Sequence, residues 1–443
     1  MKRIVSVYLI LIFINLNHDP LYAASLNLQE VYRSALERNE RVQIMREELF
    51  QAHRERDKAL SAMLPVLTLD GNYTIYPEER AELGDSSIVL QPEHAYNLEL
   101  KLEQPLYSGG KGRRGLRIAE RSIELSQKDL VLSQESLLFE VAEAFYRVLK
   151  AQKDLEARHK DLERLKEHHR QAQARFRVGE VTRTVVLRAE AELAQAEASV
   201  ITASNHLAIA KETLAVLAGL PDEFELVEPA LPVIPSGSLE QLERLALDQR
   251  PDFIKSIVQE SQSLERVRFA RGFFLPSLSL EGNYFKRDQD IRTTFFVEES
   301  WSLSAKLNFP LYEGGRRRAE LREAVSERRQ AELSHALLER TLSLEVRQAF
   351  LNLETIGQVL TFREKQLAFA KENFEMVSRQ FALGVATNLD VLDSDQTLME
   401  AEADFIAAMY DHHLTILTLQ KQVGLFLKET GVQGDNKGSN PRD

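Results

Sequence analysis

Between Arg379 and Asp395 the chain reads R-Q-F-A-L-G-V-A-T-N-L-D-V-L-D-S-D. Gly384 and the cap-forming Thr387 mark a sharp helix-to-helix turn, and Asp390 and Asp393 follow three positions apart, on one face of the helix that starts there. Acids in a first helical turn serve the dipole and the cap. A second copy of the turn, 205 positions earlier, reads R-F-R-V-G-E-V-T-R-T-V-V-L-R. Phe176, Gly179, Thr182 and Leu187 match Phe381, Gly384, Thr387 and Leu392, yet Val185 and Arg188 stand where the acids would be. The paired carboxylates are therefore dispensable to the turn.

Other residues offer less. Lys111, Arg113, Arg114 and Arg117, with Arg316, Arg317 and Arg318 in the second copy, follow a Gly-Gly pair at a helix start, where cations oppose the dipole. An external anion would explain them, and so would solvated charge on a helix surface. The adjacent pairs His168-His169 and His412-His413 point about 100° apart on a helix, so no metal site is expected from them. No phosphate loop, G-x-S-x-G or H-E-x-x-H is present. Carboxylates are too numerous for any pair to be assigned as acid and base, and neither a cofactor nor an enzyme activity is expected.

The 443 residues carry a formal net charge of -12, which disfavours nucleic acid as a partner. No cysteine occurs, so disulfides, thiolate metal sites and a lipid-modified N-terminal cysteine are excluded. Lys2 and Arg3, the apolar run Ile4 to Ile14 and the Ala23-Ala24 junction read as a secretory leader over residues 1–24. Beyond it no apolar stretch is long enough to cross a bilayer as a helix, so strands must hold the chain in any membrane.

The repeat sets the organisation: a first unit over 25–220, a proline-containing linker over 221–238, a second unit over 239–425 and a polar tail over 426–443. Each unit reads helix, two strands, long helix, tip turn, return helix. Leu67, Leu69, Tyr73 and Ile75 alternate with polar residues, as do Tyr96, Leu98, Leu100 and Leu102. The second unit repeats this with Leu278, Leu280 and Tyr284, then Trp301, Leu303, Leu307 and Phe309. Four strands of roughly 8 to 11 residues suit a transmembrane barrel. Four cannot close one, because the smallest membrane barrels have about 8. Identical chains must pool strands, and a trimer with twelve is the simplest closure, with dimers and tetramers also open by arithmetic. The helices run without proline or interior glycine from Gly115 to Val178, which predicts a rod of about 100 Å. Ile123, Leu130, Leu137 and Ala144 recur every seventh residue, as a coiled-coil seam does. The fold class is mainly α, a long coiled-coil barrel with four membrane strands per chain.

The doubled pattern, with its Leu-Pro, Pro-Leu-Tyr-x-Gly-Gly and Phe-x-x-Gly signatures, resembles the TolC family of outer-membrane efflux and secretion channels. The resemblance covers about Leu28 to Leu425. It implies a homotrimer with a twelve-stranded outer-membrane barrel continued by a helical periplasmic tunnel, served by a periplasmic adaptor and an inner-membrane transporter. It places Asp390 and Asp393 in a ring of six acids at the tunnel end, titrating as a coupled set with raised apparent pKa values. It places adaptor contacts at the Val178-Gly179 and Leu383-Gly384 turns. If the strands lie in the outer membrane, the anion near Lys111, Arg113, Arg114, Arg316, Arg317 and Arg318 is lipid phosphate. A tyrosine-arginine latch at the tip is not expected, since Phe381 and Ala386 stand near those positions. The competing reading is a periplasmic coiled-coil adaptor or scaffold without a barrel.

Overall fold

The computed structural model describes residues 24–77, 80–81, 89–221, 223–290 and 296–431. The expected leader, save Ala24, and the tail from residue 432 lie outside the described residues.

The chain opens with β1 (Ala24–Leu26), α1 (Leu28–Arg38) and α2 (Glu40–Ser61). It continues through β2 (Val66–Ile75), the short β3 (Arg80–Ala81) and β4 (Val89–Gln91), and β5 (His94–Ser108). The long α3 (Lys111–Arg177) and the return helix α4 (Arg183–Ala218) complete the first half. After β6 (Phe224–Leu226) come α5 (Leu239–Gln249), α6 (Pro251–Arg271), β7 (Ser277–Gln289) and β8 (Glu299–Asn308). The second long helix α7 (Arg316–Ala382), its return α8 (Asn388–Val423) and α9 (Phe426–Glu429) follow.

Helices α3 and α7 are each 67 residues long and α4 and α8 each 36. At 1.5 Å per residue the long pair spans about 100 Å. α2 and α4 both pack on α3, as two shorter rods covering one long one, and α6 and α8 do the same on α7. The opening helical segment of each half is broken, contrary to the single helix expected. Asn39 ends α1 and caps α2, its side chain accepting from the Arg41 amide, while Pro251 begins α6 at the position where a missing N–H costs nothing.

Alanine decides how closely the rods approach. Ala189, Ala196, Ala203 and Ala210 recur every seventh residue along α4, and all are buried. The main core gathers Val31, Leu36, Leu137, Val141, Phe145, Val148, Leu214, Tyr410 and Phe426 from α1, α3, α4, α8 and α9.

The four long strands form one antiparallel sheet in the order β2-β5-β7-β8. Tyr73 pairs with Tyr96 in the first hairpin and Tyr284 with Trp301 in the second, so the two copies share one register. β5 and β7 exceed the expected length, at 15 and 13 residues. Pro105 has no amide to donate, and the ladder absorbs it in a register shift between Pro105 and Tyr107 rather than ending. The linker between the halves is not wholly irregular, because β6 pairs in parallel with β1.

Candidate functional site

The far end of the helices brings the two turns together. Gly179 and Gly384 have φ of 82° and 77°, the left-handed region in which glycine has no Cβ to clash. Each turn closes in the same way: Glu180 N donates to Arg175 O at 2.9 Å, and Val385 N donates to Gln380 O at 2.9 Å. This leaves Val178, Leu383 and Val385 projecting into solvent at 71%, 80% and 75% exposure.

Phe381 ties the turns to each other. The Arg175 guanidinium lies 4.4 Å from its ring centroid, and the His168 ring is 6.1 Å away on the same side of α3. A cavity of about 270 Å³ opens between them, lined by His168, Ala172, Val185, Phe381, Ala386 and Thr387 among others.

Asp390 and Asp393 are both exposed on α8. Asp390 is the acid of a capping box: its Oδ2 accepts from Thr387 N at 2.8 Å and from Thr387 Oγ1 at 2.7 Å. These donors hold its carboxyl below the usual carboxylate range, first the hydroxyl and then the amide. Within one chain the direction is thus opposite to the raised values expected of an acid ring.

Two positions beyond Asp393 lies an acid that the sequence did not single out. Asp395 is buried, and its Oδ1 meets Arg164 Nε at 2.6 Å across the α3–α8 contact. Arg164 also holds Asp161 at 3.2 Å. Burial pushes the Asp395 carboxyl up to about 6, with Arg164 opposing and Asp161 adding to the rise.

The basic residues at the other helix end are mostly engaged within the chain. Arg114 pairs with Glu265 at 2.9 Å, Arg316 bridges Glu313 and Glu320, and Arg317 pairs with Glu313 at 2.9 Å while lying over the Phe274 ring. Lys111 sits over the Phe273 ring. Arg113 and Arg318 are the exposed members of the six that have neither an ion pair nor a ring contact among the described residues.

Between strands and helices the outward sheet face is apolar and uncovered: Leu67, Leu69, Tyr73 and Ile75 on β2, and Trp301, Leu303 and Leu307 on β8, are each more than 60% exposed. The described helices include none long and apolar enough to cross a membrane. The sequence profile of the outer membrane efflux protein family matches residues 31–220 and 242–425, one stretch per structural repeat. The chain belongs to that family. It is 24% identical over 438 residues to the outer membrane protein TolC of Salmonella enteritidis, spanning 96% of this chain and 86% of that protein. It is 26% identical over 250 residues to the outer membrane efflux protein BepC of Brucella suis, an alignment that covers 54% of BepC. The match to Vibrio cholerae TolC covers 63% of that relative, again under two thirds. In architecture the chain is similar to the Campylobacter jejuni CmeC outer membrane channel, with a TM-score of 0.78 at 20% identity over 91% of this chain and 89% of that one. It is also similar to Vibrio cholerae VceC, with a TM-score of 0.76 at 16% identity over 90% and 96%. The chain is an outer-membrane protein of TolC-like fold, a helical barrel element with a small sheet.

Proposed function

We propose that three copies of this chain close into one hollow cylinder, a passive duct carrying solutes from the periplasm across the outer membrane. The observation that carries it is the sheet: among the described residues β2 and β8 are both unpaired edges, and open edges are not tolerated in lipid.

The junction between the two halves supplies the template for closure. β5 of the first repeat pairs with β7 of the second, Glu99 opposite Phe285 and Lys101 opposite Asn283. Applied once more, the same relation sets β8 of one copy against β2 of the next, with Ser304 opposite Thr74 and Lys306 opposite Asn72. The helices repeat the argument, since α3 packs on α6 inside the chain while α7 has no equivalent neighbour on that flank among the described residues. α2 of the next copy would fill it. Exposed apolar residues seven apart, Leu337, Leu344 and Leu351 and then Phe362, Phe369 and Met376, run down α7, and Ile209 and Val216 do so on α4. A periplasmic scaffold would have no use for the apolar sheet face.

In this duct Asp390 and Asp393 line the narrow periplasmic end as a cation-favouring ring, and Val178, Leu383 and Val385 meet an adaptor that couples it to an inner-membrane transporter. Arg113 and Arg318 are the cations placed to meet lipid phosphate.

The chain has no cysteine, so a direct test is available. Ser304→Cys and Thr74→Cys in one polypeptide, treated with a short bismaleimide in outer membranes, should give a covalent trimer. Neither single variant should do so. Exclusively intrachain products, or a dimer as the limiting species, would remove the closure relation.

A further inference from the structure

At the end of the sheet farthest from the helices three potential ligands converge. His94 Nε2 lies 3.9 Å from Glu93 Oε1 and 4.0 Å from Asp290 Oδ2. The ligand atoms of all three lie within 4.8 Å of one another. We propose that Glu93, His94 and Asp290 form a binding site for a divalent transition-metal ion of the Zn²⁺ type.

The placement is built by the backbone rather than by loop accident. The Tyr76 amide donates to Glu93 O at 2.8 Å, and the Asp290 amide donates to His94 O at 3.2 Å, which extends the β2–β5 and β5–β7 ladders to the two acids. The residues thus stand on consecutive rungs at the end of the sheet.

The imidazole is oriented by a neighbouring phenol. Tyr73 Oη is 2.9 Å from His94 Nδ1, and the two rings stack with an interplanar angle of 8°. With the ring proton on Nδ1 donated to that oxygen, the Nε2 lone pair faces the two carboxylates. A partner on the distal nitrogen is what fixes the tautomer and rotation of metal-binding histidines.

Ligand chemistry selects the ion class. One imidazole and two carboxylates give a divalent cation charge balance and an N/O donor set suited to Zn²⁺ and its neighbours. Ca²⁺ wants six to eight oxygens, and Mg²⁺ near-ideal octahedral oxygen. Tetrahedral ligands at about 2.0–2.1 Å from a zinc ion stand about 3.3 Å apart, so closure requires movements of less than about 1 Å in two exposed carboxylates and a half-buried imidazole.

A bound ion would staple the end of β5 to the end of β7, where the sheet passes from the first repeat to the second. The proposal concerns the rim of the sheet and stands independently of the acids on α8.

The test uses the full-length protein in detergent, purified without a polyhistidine tag and stripped with EDTA, titrated calorimetrically with Zn²⁺ at neutral pH. Saturable uptake of about one ion per chain is expected, undiminished by a hundredfold excess of Ca²⁺. His94→Ala should abolish it, and Tyr73→Phe, which leaves every ligand in place, should weaken it 10- to 100-fold. Asp290→Asn, nearly isosteric, should weaken it at least tenfold, and it decides the matter if His94→Ala does not migrate as the folded oligomer. No saturable uptake, equal uptake by the His94 or Asp290 variant, or displacement by Ca²⁺ would overturn the assignment.

Discussion

Arg164 Nε and Asp395 Oδ1 stand 2.6 Å apart, and this buried contact couples α3 to α8 just above the tip. One guanidinium serves two carboxylates there, since Asp161 takes its other edge. Asp395 is held up to about 6 chiefly by burial, above the 3.8 of a free carboxyl. An acid raised on folding favours the fold while it is protonated. Its contribution is full below about 3.8 and is lost as pH rises through about 6. Mild acid should therefore stabilise the fold by relieving the cost of a buried charge, a gain that outweighs the lost attraction to Arg164. Between pH 7.5 and 5 the wild-type oligomer should gain thermal stability relative to Asp395→Asn, by on the order of 1 kcal/mol per chain. Parallel melting curves for the two proteins across that range would refute it.

The exposed acids on α8 predict a different pH response. Thr387 donates to Asp390 from both its hydroxyl and its amide and keeps that carboxyl ionised into acid solution. In planar bilayers under a salt gradient the wild-type channel should favour cations, and should still do so at pH 5. The Asp390→Asn/Asp393→Asn double variant should move the reversal potential toward zero. An unchanged reversal potential would leave both residues with capping work alone.

Much of this architecture was legible because its signals are local. The strands announce themselves by alternation, as in Leu67, Leu69 and Tyr73, and the long helices by the absence of breakers. The shared hairpin register followed from the repeat itself. The Asp395–Arg164 contact was not legible, because a buried acid on α8 looks like its exposed neighbours until α3 is laid beside it. Glu93, His94 and Asp290 escaped for the same reason: their proximity depends on the register of β5 against β7. The basic residues after each Gly-Gly were visible, but their engagement by Glu265 and Glu313 was not, since only Glu313 lies nearby in sequence.

Phe426 makes a sharper case. Ending the second repeat at 425 puts this residue in a polar tail, whereas it is fully buried and meets Tyr32 and Phe139 edge-on at centroid distances of 6.3 and 5.8 Å. It plugs the core where α1, α3 and α8 converge. Phe426→Ala should cost about 3–5 kcal/mol. Truncation after Leu425 should be at least as destabilising. Circular dichroism at 222 nm reports both.

Gly109 and Gly314 occupy matching positions and share a left-handed φ, 66° and 62°. A methyl group on Gly109 would overlap the Gly272 carbonyl oxygen and stand 3.1 Å from Leu275 Cβ, whereas around Gly314 nothing lies within 4 Å. Alanine at either position bears left-handed strain of about 1–2 kcal/mol. Only Gly109→Ala also collides with its own chain, so it should reduce the yield of folded protein. The repeat relation that maps Gly109 onto Gly314 maps Gly272 onto Ser61, so in a closed ring Gly314 approaches Ser61 of the neighbouring copy. Gly314→Ala should then yield folded protomers that assemble poorly, seen as a shift from trimer to monomer in detergent by light scattering. If Gly314→Ala assembles as wild type does, the internal α3–α6 junction is no guide to the contact between copies.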